Sequence, residues 1–377
     1  MWVVPTRAAL EFVGTATWEA LSGHPVHTDV FADVAQVPHV RIGQEADLVL
    51  VAPATADLMA RAAHGLADDL LTTTLLTAHS PVLMAPAMHT EMWEHPATSA
   101  NVSTLRSRGV WVLEPGSGRL TGTDSGPGRL PEPNDLLAAC RALLDVPQQT
   151  RNLVGRRVLV TAGSTQEPLD PVRYLTNHSS GRQGWALARV AALRGAEVTL
   201  VSGANELVDP SGVTTLRATT ARDMHATVMR LAPSMDCVIM AAAVADHRPA
   251  AEAPTKLKKN PGAATRSLDL LANPDILTEV CRSRAEGQVV VGFAAETGDV
   301  TGSVLELGRA KLAAKGCDLL VVNEVGPDKG FGSAVNEAVV LGSDGTEAPV
   351  PLGSKEHLAT AVWDHVVARL PGIVRQT

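Results

Sequence analysis

The chain has 377 residues, 45% of them hydrophobic and 19% charged, which is the composition of a globular protein with two or three domains. Its net charge of −8 and isoelectric point near 5.8 argue against nucleic acid as a partner, because Lys and Arg supply the affinity for phosphate backbones. No apolar run approaches the roughly 18 residues of a membrane span, and residues 1–12 lack a signal peptide's basic start and long apolar core. We therefore expect no membrane partner and a cytoplasmic location.

The four cysteines are widely separated, at Cys140, Cys237, Cys281 and Cys317. No two of them form the Cys-x-x-Cys pair that many zinc sites use, and they are too sparse for a disulfide scaffold. This cysteine usage indicates a reducing compartment.

Short apolar runs alternate with longer alanine-rich amphipathic stretches, and this alternation predicts buried parallel strands joined by crossover helices. In the first half, the predicted strands are Trp2–Val4, Leu48–Ala52, Val82–Ala85 and Val110–Leu113, and the predicted helices lie near Thr55–His64 and Asn134–Leu144. The pattern then stops, because residues 147–156 contain Pro147, two glutamines and two arginines without apolar periodicity. We interpret this segment as a linker between domains at 1–146 and 157–377.

A second set of α/β elements follows the linker. The predicted strands are Val158–Thr161, Glu197–Val201, Cys237–Ala242, Val289–Phe293, Leu319–Val322 and Ala338–Leu341, and the predicted helices are about Gly181–Leu193, Ala221–Ala232, Leu305–Ala314 and Lys355–Leu370. Pro254–Arg266 is rich in Lys, Pro, Gly and Ala and lacks periodicity, which predicts a mobile loop. Loops of this length inside a compact domain are often functional.

The second half contains two segments suited to binding an anion. Val158–Ser164 is a buried strand that ends in a turn of small residues, the position at which open α/β sheets bind ligands. Asn177–Gly184 leads directly into a helix and presents backbone amides and the positive end of the helix dipole. This pattern favours phosphate binding, although Ser179 or Ser180 could instead serve only as the helix N-cap.

Two charged features follow. Met240–Asp246 ends a strand in small residues and places a carboxylate at its carboxyl end, where a nucleotide or a metal could bind. Asp246 could equally cap a turn or pair with Arg248. Lys256–Lys259 begins ten residues beyond Asp246, close enough to neutralise a triphosphate, although such a run could also be a solvated charge cluster.

Together these motifs resemble the phosphopantothenate–cysteine ligases, in the same order and across about Gly155 to Leu341. The matching segments are Thr161–Arg173, Asn177–Gly181, Ala241–Asp246, Lys256–Lys259, Asn273–Asp275 and Gly292–Glu296. In that family CTP activates a carboxylate as an acyl cytidylate with loss of pyrophosphate, and the amine of cysteine then displaces CMP. The resemblance implies that Asn177 stabilises the acyl cytidylate and that Lys256 offsets charge developing on the phosphates.

The same resemblance implies a set of ligand-binding residues. Nucleotide contacts map to Met240, Ala241, Ala242, Asp246, Pro274, Asp275, Ile276, Leu277, Phe293, Lys311 and Lys315, and substrate contacts map to Ser179, Ser180 and Gly181. Lys311 and Lys315 are four residues apart on a predicted helix, so both can face one ligand, although without the resemblance they would be two surface lysines. Mg²⁺ is expected with the triphosphate, and Asp246 is its candidate ligand.

The first half carries motifs of a different kind. Val51–Asp57 is a strand, a proline turn and a helix start, and Pro86–Trp93 exposes two methionines and a tryptophan beside a strand end. With Gly65–Leu71 and Gly126–Gly128, these segments resemble the flavin-containing cysteine decarboxylases. In tandem with a ligase domain, the resemblance implies a phosphopantothenoylcysteine decarboxylase, in which FMN oxidises the substrate and later returns the electrons.

This second resemblance also implies site residues. His39 matches the catalytic histidine, a role that suits a titrating imidazole, and His89 is a second catalytic candidate. The cofactor-binding residues implied are Thr6, Thr55, Ala56 and Asp57, and the substrate-binding residues implied are Met88, Met92 and Trp93.

The chain departs from the decarboxylase pattern in its residues and in its start. His89 stands where that family usually has asparagine, and Gly122 stands where it has a cysteine proton donor. The product could be protonated by Thr121, Thr123, Asp124 or His89, or the decarboxylase could be slow or absent. The chain also begins at what resembles the family's second strand, without the first strand and its glycine-rich turn.

The fold class expected from both halves is α/β, with a flavoprotein-like parallel-sheet domain followed by a Rossmann-like CTP-dependent ligase domain. We interpret the chain as a bifunctional enzyme of coenzyme A biosynthesis that forms a homo-oligomer through both domains. The alternatives are a ligase whose first domain is only an oligomerisation scaffold, and a non-catalytic regulatory subunit, against which Asn177, Asp246 and Lys256 argue. A dehydrogenase is not favoured, because no Gly-x-Gly-x-x-Gly segment follows a predicted strand.

Overall fold

The computed structural model describes residues 1–29, 37–120, 124–145, 151–258, 265–298, 302–326 and 333–372. Its backbone divides into two compact units, residues 1–149 and 150–377. Within the described ranges, no helix is both long and apolar enough to cross a membrane.

The first unit is built on a parallel sheet of three strands in the order β1-β2-β3. These strands are β1 (Val49–Ala54), β2 (Val82–Pro86) and β3 (Trp111–Val112), and a separate antiparallel hairpin consists of β4 (Gly116–Arg119) and β5 (Ser125–Arg129). The helices are α1 (Arg7–Leu10), α2 (Thr15–Ser22), α3 (Pro38–Glu45), α4 (Ala56–His64), α5 (Leu70–Thr77), α6 (Thr90–Trp93), α7 (Pro96–Ser107) and α8 (Pro133–Asp145). The predicted parallel-sheet architecture of this half is confirmed.

Helices α4 and α7 pack together beside this sheet and form the core of the first unit. Leu58 and Met59 of α4 are buried against Met84 of β2 and Leu105 of α7. Burial of each such side chain contributes about 1.5–3 kcal/mol relative to exposure. The core therefore fixes the carboxyl ends of β1 and β2, from which the first candidate site is built.

The predicted strand at Trp2–Val4 is wrong. Residues 1–6 run outside the sheet and lead into α1, and Pro5 has no N–H with which to join a strand ladder. The Trp2 ring instead lies 4.6 Å from the His24 ring, centroid to centroid, and the Arg41 guanidinium stands 5.4 Å from the Trp2 centroid. Three apolar residues in a row are compatible both with a short strand and with these ring contacts, so the sequence alone does not separate the two.

The second unit contains a sheet of eight strands in the order β10-β9-β6-β11-β14-β15-β16-β17. Its strands are β6 (Arg157–Ala162), β9 (Glu197–Ser202), β10 (Val213–Arg217), β11 (Cys237–Met240), β14 (Val289–Glu296), β15 (Leu319–Glu324), β16 (Val335–Gly342) and β17 (Glu347–Ser354). Two small antiparallel pairs stand apart from it: β7 (Gln166–Asp170) with β8 (Arg173–Thr176), and β12 (His247–Pro249) with β13 (Leu270–Ala272). The helices are α9 (Arg182–Leu193), α10 (Ala221–Leu231), α11 (Ile276–Ser283), α12 (Val304–Lys315) and α13 (Lys355–Val367).

Six neighbouring strands of this sheet are parallel, from β10 to β15. Numbered along the chain, they lie in the order 3-2-1-4-5-6, which is the Rossmann order and confirms the predicted fold. The strand order reverses between β6 and β11, and ligands of such sheets bind outside the carboxyl ends of the strands at this point. The fold therefore places the second candidate site after Ala162 and Met240.

Helices α9 and α13 pack against each other through tryptophans. Trp185 and Trp363 are fully buried, and the Trp363 indole donates a hydrogen bond to the Leu187 carbonyl at 2.9 Å. Gly184 lets α9 approach β6, because a Cβ at this glycine would overlap the Ala162 Cβ. The position of α9, whose first turn belongs to the candidate site, depends on this close approach.

The structure differs from the sequence interpretation at several edges of this unit. β17 carries Pro349 and Pro351, which concealed it from pattern analysis and which an edge strand tolerates. The described part of the predicted linker packs within the second unit, since Leu153 is fully buried and its N–H donates to the Arg194 carbonyl. Residues 146–150 and residues 259–264 of the predicted loop lie outside the described residues.

Gly184→Ala is expected to destabilise the second unit by about 1–3 kcal/mol, because the added methyl group overpacks the contact between α9 and β6. Chemical denaturation followed by tryptophan fluorescence measures the change. Gly14→Ala is the control, since an added Cβ there meets no heavy atom within 4 Å and the φ is −70°. Equal unfolding free energies for both variants would show that α9 adjusts without cost.

Candidate active sites

The two turns that end β6 and β11 are joined by main-chain hydrogen bonds. The N–H of Ala243 donates to the Gly163 carbonyl at 2.8 Å, and the N–H of Thr165 donates to the Ala243 carbonyl at 3.3 Å. Gly163 has a φ of 78°, a left-handed conformation that favours glycine. The turns of two motifs separated by some eighty residues in sequence therefore form one surface at the switch point.

Two buried threonines set the backbone of this surface. The Thr161 hydroxyl accepts the N–H of Ala242 at 3.1 Å, and the Thr165 hydroxyl accepts the N–H of Ala245 at 3.0 Å. Both threonines are fully buried, so no water replaces these contacts at low cost. They hold the backbone of the segment Ala241–Asp246 in one conformation across the end of the sheet.

Asn177 lies beside this segment. It follows β8 directly, it is exposed, and its Nδ2 donates to the Val244 carbonyl at 3.1 Å. The Thr176 hydroxyl donates to the Thr165 carbonyl at 2.7 Å and attaches the end of β8 to the turn after β6. The structure thus brings Asn177 together with the predicted nucleotide residues Ala241 and Ala242.

The anion-binding segment is capped differently from the sequence alternative. Gly181, with a φ of 72°, is the N-cap of α9, and the Ser179 hydroxyl accepts the Gly181 N–H at 3.2 Å. Neither Ser179 nor Ser180 is therefore the N-cap. A Cβ at Gly181 would lie 3.4 Å from the Gly163 Cα, so glycine lets the helix start meet the β6 turn. Helix α9 therefore begins beside the β6 turn, and the start of a helix is a favourable position for an anion.

Asp246 is exposed at the edge of this site, and the alternative pairing with Arg248 is not formed. Arg248 donates instead to the Ala272 carbonyl at 2.6 Å and to Asn273 Oδ1 at 3.0 Å. Asn273 bonds back to the Asp246 carbonyl at 2.8 Å and to the Ala245 carbonyl at 2.9 Å. These contacts place Pro274 and Asp275 next to the segment Ala241–Asp246.

The two predicted nucleotide-binding lysines of α12 are held in ion pairs. Lys311 Nζ lies 2.7 Å from Glu296 Oε1 at the end of β14, and Lys315 pairs with the Asp275 carboxylate. Burial opposes the charge of Asp275, but the hydrogen bonds from Lys315 and Thr278 outweigh it and hold its pKa below the usual range. Both lysines therefore line the same end of the sheet, as their spacing predicts.

Several predicted nucleotide residues offer only their backbone. Ile276 and Met240 are 3% and 7% exposed and lie in the hydrophobic core, while Leu277 packs against that core. Phe293 is half-buried in the middle of β14, next to Gly292, which pairs with Met240 of β11. Ligand contacts at Ile276 and Met240 must therefore come mainly from main-chain atoms.

Lys256 is exposed, and the residue after it is fixed by a pair that sequence analysis missed. Asp170 Oδ2 accepts the Leu257 N–H at 3.1 Å, and Arg173 Nη2 donates to the Leu257 carbonyl at 2.9 Å. The hydrogen bond from Arg173 is the main cause that holds the pKa of Asp170 far below its usual range. The Asp-Pro dipeptide at 170–171 is the local signal, because Asp commonly bonds the backbone two residues on in a turn.

The cysteines supply no reactive thiol. Burial raises the pKa of Cys281 to about 12 and that of Cys317 to about 11, and it also raises the pKa of Cys140 and Cys237. Within the part of the chain that the structure describes, no three His, Cys, Asp or Glu side chains form a group able to hold a metal ion.

In the first unit, the candidate site is built at the carboxyl ends of β1 and β2. Thr55 is the N-cap of α4 and accepts the Leu58 N–H at 3.2 Å, with Ala56 half-buried and Asp57 exposed in the first turn. The N–H of Ala87 donates to the Ala54 carbonyl at 3.1 Å and joins the two strand ends.

The β4–β5 hairpin covers the segment after β2. The N–H of Met88 donates to the Gly128 carbonyl at 2.9 Å, and the Thr90 hydroxyl donates to the Pro127 carbonyl at 2.7 Å. A Cβ at Gly126 would lie 2.5 Å from the Thr90 hydroxyl, and one at Gly128 would overlap the Met88 carbonyl. The glycine motif and the methionine motif therefore form one structure.

The methionine motif is divided between the core and the surface. Met88 and Trp93 are half-buried and pack against the core of the first unit, while Met92 is 48% exposed. His89 is the N-cap of α6 without a side-chain cap bond, and its Nδ1 lies 3.6 Å from Glu91 Oε2. Of the candidate proton donors, Asp124 is exposed, and Thr121 and Thr123, like Gly122, lie outside the described residues.

His39 lies on α3, which packs against α5. Its carbonyl accepts a hydrogen bond from the Thr77 hydroxyl at 2.8 Å. Its ring Nδ1 is buried and has no hydrogen-bond partner among the described residues, which in a folded protein usually marks a site completed by a ligand or water. Thr6 accepts the Ala9 N–H at 3.2 Å and caps α1.

The folds and sites define a tandem enzyme with a flavoprotein-type parallel-sheet unit and a Rossmann-type nucleotide-dependent unit. A family model described as "Flavoprotein" matches residues 1–145, and one described as "DNA/pantothenate metabolism flavoprotein C-terminal domain" matches residues 153–370. The chain belongs to the family of coenzyme A biosynthesis bifunctional proteins CoaBC.

Full-length relatives establish this membership. The coenzyme A biosynthesis bifunctional protein CoaBC of Mycobacterium tuberculosis is 57% identical over 378 residues, which cover 98% of this chain and 90% of that protein. The protein of the same name from Mycolicibacterium smegmatis is 56% identical over 375 residues with the same coverage. A crystal structure of the C-terminal domain of CoaBC is 34% identical and covers 58% of this chain and 97% of that chain, with a TM-score of 0.49.

Thr165→Val is expected to destabilise the second unit by about 1–3 kcal/mol, because the buried Ala245 N–H loses its acceptor. Hydrogen–deuterium exchange should show faster exchange at the Ala245 amide, which is otherwise protected by this bond. Thr165→Ser keeps the hydroxyl and serves as the control with nearly unchanged protection. Wild-type exchange at Ala245 in the valine variant would contradict the role given to Thr165.

Proposed function

We propose that this chain catalyses two reactions of coenzyme A biosynthesis in sequence. The ligase domain, residues 157–377 of the second unit, joins 4′-phosphopantothenate to cysteine with CTP, and the decarboxylase domain, residues 1–146 of the first unit, decarboxylates the product to 4′-phosphopantetheine. The observation that carries the proposal is the contact between Asn177 and the segment Ala241–Asp246 at the switch point. In this contact Asn177 Nδ2 lies 3.1 Å from the Val244 carbonyl oxygen. Family membership through CoaBC relatives supports both activities.

In the ligase reaction, the substrate carboxylate attacks the α-phosphorus of CTP and pyrophosphate leaves. The amine of cysteine then attacks the acyl carbon, and CMP leaves. Asn177 holds the Val244 carbonyl with one amide N–H and donates the other to the acyl cytidylate, and Lys256 neutralises charge on the phosphates. Ser179, Ser180 and Gly181, at the start of α9, hold the substrate phosphate.

CTP enters this site as its magnesium complex. The exposed Asp246 carboxylate is the proposed protein ligand of Mg²⁺, because hard cations prefer carboxylate oxygens. Lys311 and Lys315 exchange their partners Glu296 and Asp275 for the nucleotide's phosphates, and Pro274, Leu277 and Phe293 border the nucleotide with apolar surface. The main-chain atoms of Met240 and Ile276 supply hydrogen bonds from the core side.

FMN fits the first unit, because the buried His39 Nδ1 lacks a partner among the residues that the structure describes and the capped start of α4 offers backbone amides for an anion. Thr55, Ala56 and Asp57 would hold it at that helix start, and Thr6 is a further proposed contact. When bound, FMN supplies reversible two-electron chemistry. His39 holds or moves the proton at its imidazole nitrogen, Met88, Met92 and Trp93 orient the substrate, and His89 stands beside them as a proton carrier.

We also infer a homo-oligomer in the cytoplasm. Exposed apolar side chains lie on the small hairpins of the second unit and their neighbours, and others lie on the first unit. They are Val172, Tyr174, Leu268, Leu270 and Leu271, and in the first unit Phe12, Leu21 and Leu76. Exposed apolar side chains of this number and size support association between copies. The absence of paired cysteines among the four supports a reducing compartment.

One observation favours a second candidate, in which only the ligase is active. Gly122 occupies the position of the decarboxylases' proton-donating cysteine, and the raised pKa of Cys140 makes the first unit's one cysteine a poor substitute. The first unit would then act as a scaffold. Flavin absorbance of the purified protein separates the two candidates, because a scaffold does not require FMN.

Asn177→Asp is expected to slow product formation by about 10²–10³-fold, because a carboxylate repels the phosphate of the acyl cytidylate where the amide donates to it. Mass spectrometry of quenched reactions should show the acyl cytidylate accumulating. Asn134→Asp, at an exposed position on α8, is the control and should leave turnover unchanged. Normal turnover in Asn177→Asp would remove Asn177 from the proposed reaction.

His39→Asn should lower carbon dioxide release from phosphopantothenoylcysteine by about 10²–10⁴-fold, the usual effect of removing an acid–base group. CTP-dependent ligation should stay intact, because its residues lie on the other unit. The exposed His79→Asn is the matched control. Parallel loss of both activities in His39→Asn would indicate a folding defect and not the proposed role.

A further inference from the structure

The β7–β8 hairpin supports both proposed catalytic groups of the ligase. Asn177 follows β8 in the chain, and the hairpin is joined to the switch point through Thr176. Lys256 belongs to a segment far along the sequence that is joined to the same hairpin by hydrogen bonds. These hydrogen bonds hold the backbone on both sides of Lys256.

The segment is attached at two points, one on each side of Lys256. The N–H of Ala253 donates to the Leu169 carbonyl at 3.0 Å, three residues before Lys256. Directly after Lys256, Leu257 is held by both of its backbone groups. Its N–H meets Asp170 Oδ2 at 3.1 Å, and its carbonyl meets Arg173 Nη2 at 2.9 Å.

The two side chains of this clamp fix each other. The Asp170 side chain is fully buried, and its Oδ1 accepts the N–H groups of Val172 and Arg173, each at 2.9 Å. Arg173 Nε donates to Asp170 Oδ2 at 3.1 Å, so the guanidinium has a defined plane although it is half-exposed. Charge-assisted bonds of this type are short and directional.

The geometry exceeds what the hairpin turn itself requires. The Oδ1 contacts of Asp170 close the turn at Pro171 and Val172, as an asparagine would. The remaining oxygen and the guanidinium of Arg173 are directed at Leu257, outside the hairpin. Two ionised side chains therefore bond the backbone of Leu257, the residue next to Lys256. This arrangement indicates that the position of Lys256 matters.

We propose that Asp170 and Arg173 are positioning residues for Lys256, which clamp Leu257 so that the adjoining ammonium group is held at the reacting phosphates. This proposal rests on the proposed role of Lys256. The clamp removes backbone freedom before CTP binds, and preorganised charge acts more strongly in a transition state than charge on a loose chain.

Limited trypsin digestion of the full-length protein tests the clamp without reference to activity. Trypsin cleaves after Lys256 only when the surrounding backbone is released, so Arg173→Gln should raise the initial cleavage rate there about tenfold. Arg309→Gln is the control, because Arg309 is a comparably exposed arginine that pairs with Glu347 elsewhere in the unit. Equal cleavage rates in Arg173→Gln and wild type would overturn the clamp.

Pyrophosphate release at saturating CTP tests the positioning role. Arg173→Gln should lower kcat about tenfold, and Lys256→Gln should lower it by about 10²–10³-fold, with Arg309→Gln near wild type as the control. The double variant Arg173→Gln/Lys256→Gln should be no slower than Lys256→Gln, because residues that act through one group are not additive. A multiplicative loss in the double variant would show that Arg173 acts independently and overturn the proposal.

The two failures are distinguishable. Full turnover in Lys256→Gln would remove Lys256 from the proposed function, whatever trypsin shows. A large loss in Lys256→Gln together with normal kcat and normal cleavage in Arg173→Gln would overturn the positioning role alone. Asp170→Asn, which keeps the side-chain shape and removes the charge, should reproduce both results of Arg173→Gln. Its melting temperature should fall, because a buried side chain loses its ion pair with Arg173, and both assays are therefore run well below that temperature.

Discussion

The main-chain join between the turns after β6 and β11 is the constraint on which the second unit depends. Both strands are buried in the middle of the sheet, at the reversal of strand order, where crossover helices leave a crevice. The bond from Ala243 to Gly163 and the hydroxyls of Thr161 and Thr165 close the floor of that crevice without bulky side chains. Asn177 and Asp246 lie on segments attached to this floor, and the segment of Lys256 is bonded to the β7–β8 hairpin, which Thr176 joins to the same floor.

The sequence was sufficient to predict the parts of the molecule whose signal is local. The run at 158–161 marks β6, observed at Arg157–Ala162, because a strand buried on both faces needs no polar positions. Small residues at 241–245 and an amide-rich helix start at 177–184 marked the two sides of the site. That these two sides meet was also foreseeable, because the carboxyl ends of parallel strands share one edge of a sheet.

The remainder depends on contacts between residues that are distant in the chain. Asp170 bonds Leu257 across 87 positions, and Thr165 bonds Ala245 across 80, so no local pattern contains either pair. Strands β7, β8, β12 and β13 have three to five residues each and mixed polarity. Segments this short show no apolar alternation from which a strand could be predicted. Trp2–Val4 is the opposite case, in which a local apolar pattern predicted a strand that does not form. The Trp2 ring instead packs beside the His24 ring.

The inert cysteines have a consequence for an enzyme proposed to bind one thiol and release another. Thiol–disulfide exchange needs an accessible thiolate, and the attack rate falls as the thiolate fraction falls. With pKa values near 12 and 11, Cys281 and Cys317 are almost entirely protonated at neutral pH, and burial shields Cys237 as well. Mixed disulfides with cystine or an oxidised product are therefore disfavoured at these three thiols.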